Sequence, residues 1–126
     1  MQAQASKLLL LAVISMMCMF FSLSAHAETP IHHVSSETCK SCHMEIYTQW
    51  KGSMHAQSSA LEDPIHATFY GMVMGDPTKE GLKSKKGTYP VCLQCHAPNA
   101  AKDKKTKLDT MPAYAEGVNC VACHTL

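Results

Sequence analysis

Three short stretches decide how this chain folds: Cys39-Lys40-Ser41-Cys42-His43, Cys92-Leu93-Gln94-Cys95-His96 and Cys120-Val121-Ala122-Cys123-His124. Together they hold six of the seven cysteines, and each reads Cys-x-x-Cys-His. Two cysteines three residues apart project from one side of a helical turn, so both can form thioethers with the vinyl groups of one porphyrin. The histidine that follows then lies over the porphyrin plane and offers a nitrogen to the iron. This is the attachment signature of c-type haem. Three copies predict three covalently bound haem c groups, anchored by Cys39, Cys42, Cys92, Cys95, Cys120 and Cys123. The proximal iron ligands are then His43, His96 and His124.

Other uses of the same cysteines explain less. Disulfides account for an even number of cysteines in an exported chain but not for a histidine after every second one. With eight histidines in 126 residues, three such coincidences have a chance on the order of 2 in 10,000. Zinc takes Cys-x-x-Cys with His, yet three repeats supply nine ligands, which divide awkwardly into tetrahedral sites of four. Thioredoxin-like chemistry expects a βαβ pattern around the motif, and none is present.

Outward from the motifs, the chain is thin in core-forming residues. Residues 1–27 read as a secretory signal peptide: Lys7 gives a positive start, Leu8 to Leu23 an apolar stretch, and Ala25-His26-Ala27 a small-residue cleavage site. Cys18 lies inside the apolar stretch and leaves with it. The alternative is an uncleaved membrane anchor, since the run is about long enough to span a bilayer. Cleavage after Ala27 places residues 28–126 in the periplasm as one trihaem domain. That domain has only 24 large apolar side chains besides its cysteines and alanines. So small a domain needs staples, metals or cofactors, and three porphyrins supply most of the missing core.

Residues 28–126 carry ten Lys, no Arg and ten acids, which gives no support for nucleic-acid binding. Three haems bring six propionates, so the ferric holoprotein carries a net charge of about −3. The lysines cluster at Lys79–Lys86 and Lys102–Lys107. They are either solvated loop charge, counter-charges to propionates, or a means of steering an acidic partner.

The pattern along the chain is helical with long loops. Glu28–Ser36 reads as irregular. Beyond Thr38, Ile46, Tyr47, Trp50 and Met54 fall on one broad apolar face, and Gly52 weakens this helix without having to end it. A second helix spans Pro64–Met74, with Gly75-Asp76-Pro77 as its stop. Thr78–Thr88 reads as loop, and Ala97–Met111 is polar and lysine-rich. No stretch alternates with period two. The fold class is therefore mainly α, with little or no β-sheet, a small multihaem cytochrome c fold organised around covalent haems.

Each iron has a second axial position, whose occupant separates electron transfer from ligand chemistry. His32, His33, His55 and His66 are the candidates, with Met54, Met72, Met74 and Met111 less favoured. His55 follows His43 by 12 residues, about 18 Å if the stretch is helical. Two axial nitrogens of one iron are only about 4 Å apart. His55, if it is a ligand, therefore serves a different haem from His43.

The first motif followed by Trp50-Lys51-Gly52-Ser53-Met54-His55-Ala56 resembles the first haem segment of the tetrahaem cytochrome c-554 family, which shares haem-packing motifs with hydroxylamine oxidoreductase. Glu116-Gly117-Val118-Asn119 before the third motif is similar to the third haem site of such proteins. The resemblance implies a mostly helical periplasmic electron carrier with closely packed haem pairs, and a distal-ligand role for His55 toward a later haem. The sequence departs from the family in lacking a fourth Cys-x-x-Cys-His. Leu126 stands two residues after His124. Either the third haem is completed by a partner chain, or the sequence is part of a longer multihaem protein.

The first functional expectation is a periplasmic relay of single electrons between redox protein partners, with no catalytic residues and no substrate of its own. The second is a haem enzyme, or a subunit of a larger multihaem oxidoreductase, acting on a small nitrogen or sulfur compound at an open haem, the third above all. A third is an assembly subunit docked in a larger multihaem complex. Membrane contact is expected only through an uncleaved leader.

Overall fold

The computed structural model describes residues 2–21 and 28–124. Every regular element among them is helical, without a strand. Helix α1 (Gln2–Phe21) takes up most of the N-terminal apolar stretch, and its Leu8 to Leu11 are exposed. The Ala25-His26-Ala27 cleavage site and Leu126 lie outside the described residues. No helix among the described residues is long and apolar enough to cross a membrane.

The remaining elements are short. A 3₁₀ turn at Ile31–His33 leads to α2 (Glu37–Lys40) and α3 (Met44–Lys51). After a stretch of turns come α4 (Pro64–Val73), α5 (Leu93–His96) and α6 (Pro98–Lys102). A second 3₁₀ turn at Leu108–Thr110 precedes α7 (Pro112–Ala115) and α8 (Cys120–His124).

Helix α4 shows how local chemistry sets its ends. The Asp63 carboxylate accepts from the Ile65 amide at 2.8 Å, and Pro64 occupies the first turn, where a missing N–H costs nothing. At the other end the amides of Met74 and Gly75 both reach the Tyr70 carbonyl. Gly75, at φ +107°, then turns the chain away. Helix α3 ends earlier than its apolar pattern suggests. The Gly52 amide closes on Thr48, and the Ser53 hydroxyl and amide both donate to the Trp50 carbonyl. The chain then leaves the helix axis before Met54 and His55, so the 18 Å straight-helix separation of His43 and His55 does not apply.

The core lies in the C-terminal half, where α5, α6, α7 and the second 3₁₀ turn pack together. Tyr70, Met74, Leu93, Leu108 and Tyr114 are buried with Ala60, Ala97 and Ala100. Full burial of Leu93 and Leu108 contributes about 1.5–3 kcal/mol each. The segment 97–111, polar by composition, therefore supplies much of the packing. Around the first motif the situation is reversed, and Met44, Ile46 and Met54 are exposed.

Two polar junctions hold the distant segments in place. In the first, Glu116 accepts from the Ser36 amide at 2.9 Å and from the Ser35 hydroxyl. Asn119 binds the Val34 carbonyl, Asn99 and the Ala122 amide, while the Ser36 hydroxyl accepts from the Cys120 amide. This fastens the chain entering the first motif to the chain entering the third. In the second, the His55 carbonyl accepts from the Val118 amide at 2.9 Å, and the Trp50 indole donates to the Val118 carbonyl at 2.8 Å. Gly117 has φ +64°, and a Cβ there would stand 2.5 Å from both the His55 carbonyl and the Ser58 hydroxyl. Only glycine fits this crossing.

Candidate haem-binding sites

The three motifs form the same local structure three times. In each, one helical turn carries both cysteines, the first half-buried and the second exposed, and the histidine ends the turn. The His43 amide closes on the Cys39 carbonyl at 2.9 Å, and the His96 amide closes on Cys92 at 3.0 Å. No disulfide joins the motif cysteines among the described residues. Burial pushes the Cys39 thiol up, and neighbouring Cys120 raises it further; burial likewise raises Cys92.

The turns open onto shared spaces. A cavity of about 280 Å³ is lined by Cys39, His43 and Ile46 from one side and by Cys120, Val121 and His124 from the other. The first and third motifs thus face one another. A second cavity, about 380 Å³, lies among Gln94, Pro98, Ala101, Lys102 and Ala122. It joins the middle residues of the second and third motifs. A third, about 150 Å³, is bounded by Cys92 and by His66, Phe69, Tyr70, Val73 and Met74 of α4 and its end.

These surroundings fit haem. The macrocycle needs an apolar bed beside each cysteine pair, and Ile46, Phe69, Val73 and Val91 present 56–70% of their surface there uncovered. His96 Nδ1 lies 2.9 Å from the Ser58 carbonyl. Donating through Nδ1 leaves Nε2 as the basic nitrogen that an iron takes. Around the cavity beside Cys92, buried His66 Nε2 and the buried Tyr70 hydroxyl have no hydrogen-bond partner among the described residues.

The four distal candidates fall into three different settings. His55 is exposed, and its backbone is tied to Val118, two residues before Cys120. This brings the segment of the first motif to the third. His66 is buried against His96, with ring centroids 3.9 Å apart, and its Nδ1 shares the Ser58 carbonyl at 2.9 Å. Burial pushes the His66 imidazole down, toward the neutral form. Two rings side by side on one carbonyl do not stand across an iron from each other. His32 and His33 instead turn their Nε2 atoms onto the two oxygens of Asp103, at 2.9 and 2.5 Å, and Tyr114 donates to the same carboxylate. These three side chains keep their donor atoms within 4.8 Å of one another.

Several residues that build the sites carry no mark in the sequence. Ser58, Glu116, Asn119 and Asp103 act across 38 to 85 positions, a range no local pattern reports. Gly117 comes nearest to a signal, because a glycine just before a motif hints at close backbone approach.

Residues 38–125 match the family model described as cytochrome c554 and c-prime. The crystal structure of a penta-heme cytochrome c552 from Thermochromatium tepidum is 67% identical over 76% of this chain, with a TM-score of 0.75. The chain spans about a quarter of the length of that protein, since the match covers 25% of it. A 46-residue stretch is also 50% identical to a tRNA uridine(34) hydroxylase of Pelagibacter ubique (strain HTCC1062), over 36% of this chain and 13% of that protein. The repeated haem-attachment turns, the helical fold of the described residues and the family match agree: this chain is a multihaem c-type cytochrome and belongs to the cytochrome c554 and c-prime family.

Proposed function

We propose that the chain is a trihaem electron carrier of the periplasm, passing single electrons between redox protein partners. The observation that carries the reading is the sharing of cavities. The third motif faces the first across a cavity lined by cysteines and histidines of both, and its Ala122 shares a second cavity with Gln94 of the second motif, which puts the third motif next to both others. When bound, haem supplies a reversible Fe(III)/Fe(II) couple. The chain's residues supply the rest. Cys39 with Cys42, Cys92 with Cys95, and Cys120 with Cys123 anchor the groups, and His43, His96 and His124 ligate them from the proximal side. The Ser58 carbonyl fixes the His96 ring, and the Glu116–Asn119 junction fixes the first site against the third.

Export is supported by the N-terminal apolar stretch and by the chemistry of haem attachment. The distal positions are assigned first to His55 and then to His66, whose Nε2 has no partner among the described residues; His32 and His33 follow and would have to leave Asp103 to reach an iron.

A pyridine haemochrome assay combined with intact mass tests the core of this reading. The expected result is three haems per chain on a polypeptide beginning at Glu28. Electron paramagnetic resonance is expected to show low-spin iron throughout. A substantial high-spin fraction in the fully loaded protein would point instead to an open haem that takes a small nitrogen or sulfur ligand.

A further inference from the structure

The two lysine runs are far apart in sequence but adjacent in the fold. Thr106, almost fully buried, is the join: its hydroxyl donates to the Lys79 carbonyl at 3.0 Å and accepts from the Leu82 amide at 3.1 Å. The Tyr89 hydroxyl reaches the Lys105 carbonyl at 2.9 Å, and the Leu108 amide reaches the Pro77 carbonyl at 2.9 Å. Segments 77–89 and 102–108 therefore run side by side. Lys79, Lys83, Lys85, Lys86, Lys102, Lys104, Lys105 and Lys107 are all exposed on them. Four acids, Asp76, Glu80, Asp103 and Asp109, lie on or beside these segments against the eight lysines. Glu80 lies close to the Thr106 amide, and Asp103 is turned inward onto His32, His33 and Tyr114. Lys107 approaches Asp109 only loosely, at 3.9 Å.

The patch also meets the haem motifs. Lys102 lines the cavity that Gln94 of the second motif shares with Ala122 of the third. The positive surface thus borders a cavity to which both the second and the third motif contribute a residue.

Resting on the electron-carrier reading above, we propose that this lysine surface is the docking face for an acidic protein partner, with which electrons are exchanged through the second or third site. The charge is all lysine. A lysine ammonium is a strongly hydrated point charge that attracts at a distance, whereas arginine makes rigid bidentate contacts. Lysine is also depleted in tightly packed interface cores. A lysine-only face therefore accelerates encounter without holding the complex, as a carrier that must leave after each transfer requires.

Stopped-flow reduction of the holoprotein tests this, with an acidic flavodoxin hydroquinone as one reductant and a neutral reduced flavin as the other. The flavodoxin rate is expected to fall roughly tenfold between low and physiological ionic strength. The double variant Lys83→Glu/Lys105→Glu, one lysine from each run and neither lining a cavity, should lower the low-salt rate by roughly tenfold and flatten its salt dependence, whereas Lys51→Glu on α3 should change it less than about twofold. The neutral flavin should reduce all variants equally fast. If the double variant matches wild type, or if the flavodoxin rate ignores salt, the docking face is wrong. A shift of the haem potentials in the double variant, with its neutral-flavin rate altered too, would overturn the proposal in favour of propionate pairing. Salt-resistant retention on phosphatidylglycerol vesicles, lost in the variant, would overturn it in favour of a membrane surface. Failure of the neutral flavin to reduce wild type would instead break the carrier reading itself.

Discussion

The first and second motifs have the same sequence pattern and the same turn, yet the protein treats them differently. Around Cys92–His96 the polypeptide builds a packed environment. Leu93 and Ala97 are completely enclosed, Tyr70 and Met74 close one side, and the His96 ring is fixed by Ser58. Around Cys39–His43 it builds almost none. His43 is exposed, α3 buries no residue, and Ile46 is 63% exposed. What holds the first motif is the polar junction of Ser35, Ser36 and Glu116 and the tie from Trp50 and His55 to Val118. The second site is a pocket made by protein. The first is completed by the third site facing it, so its stability depends on a long-range junction rather than on its own packing.

The largest expected effect comes from breaking that junction. Gly117→Ala puts a Cβ 2.5 Å from the His55 carbonyl and the Ser58 hydroxyl at a backbone angle that disfavours alanine. The cost combines overpacking and strain, about 3 kcal/mol or more. Urea denaturation of the holoprotein should show it as a lower midpoint. Because the same clash displaces Ser58, which holds the His96 ring, haem potentials at all three sites should move. A variant as stable as wild type would mean the crossing is dispensable.

Next comes the contrast between the two beds. Leu93→Ala empties a fully enclosed position and is expected to destabilise by about 2–5 kcal/mol. Ile46→Ala removes a side chain that lines the shared cavity from an exposed helix. It should cost less than half as much. Equal costs in denaturation of the holoprotein would show that the first site is as fully covered as the second.

A third test concerns the N-terminal tether. Burial alone would raise the Asp103 carboxyl, but hydrogen bonds from Tyr114, His32 and His33 outweigh it and bring the value to about 2. A carboxyl whose folded pKa lies below its unfolded value stabilises the fold above the unfolded pKa. That stabilisation is lost as pH falls from about 4 toward 2. With its side chain about a quarter exposed (26%), the contribution is on the order of 1–2 kcal/mol. Asp103→Asn should lose this at neutral pH and flatten the acid limb of the stability curve, measured by circular dichroism. An unchanged acid limb would mean that the tether contributes nothing.

These unequal regions also explain what could be read in advance. The motif turns are local, and their cysteine and histidine spacing is sufficient to define them. Helix α4 was legible at both ends because Pro64 and Gly75 act on their own backbone, and the expected Pro64–Met74 differs from α4 by one residue. The end of α3 was not, because Gly52 and Ser53 compete with an apolar pattern that continues to Met54. The core role of residues 97–108 escaped notice because Ala97 and Ala100 carry little hydrophobic signal while lysines surround them. The facing of the first and third motifs was least legible of all. It rests on Glu116 and Asn119 contacts to residues more than 80 positions earlier for Ser35 and Val34, and at that range the sequence pattern carries no information about pairing.

The smallest effect should come from the surface of the first region. Glu37 accepts from Lys40 at 2.7 Å and from the Tyr47 hydroxyl, linking α2 to α3 beside Cys39. The Lys40 hydrogen bond, then that of Tyr47, holds the Glu37 carboxyl below its usual range, and the bond to Glu37 pushes the Tyr47 phenol up to about 12. The link looks like a support for the first motif, but it is exposed to solvent, where ion pairs contribute little. Glu37→Gln should therefore leave the denaturation midpoint unchanged while the Tyr47 phenol titrates at lower pH, followed by NMR of ring-labelled tyrosine. A clear loss of stability instead would show that the first motif draws on its own surface as well as on the Glu116 junction. The contrast with the packed second site would then be one of degree.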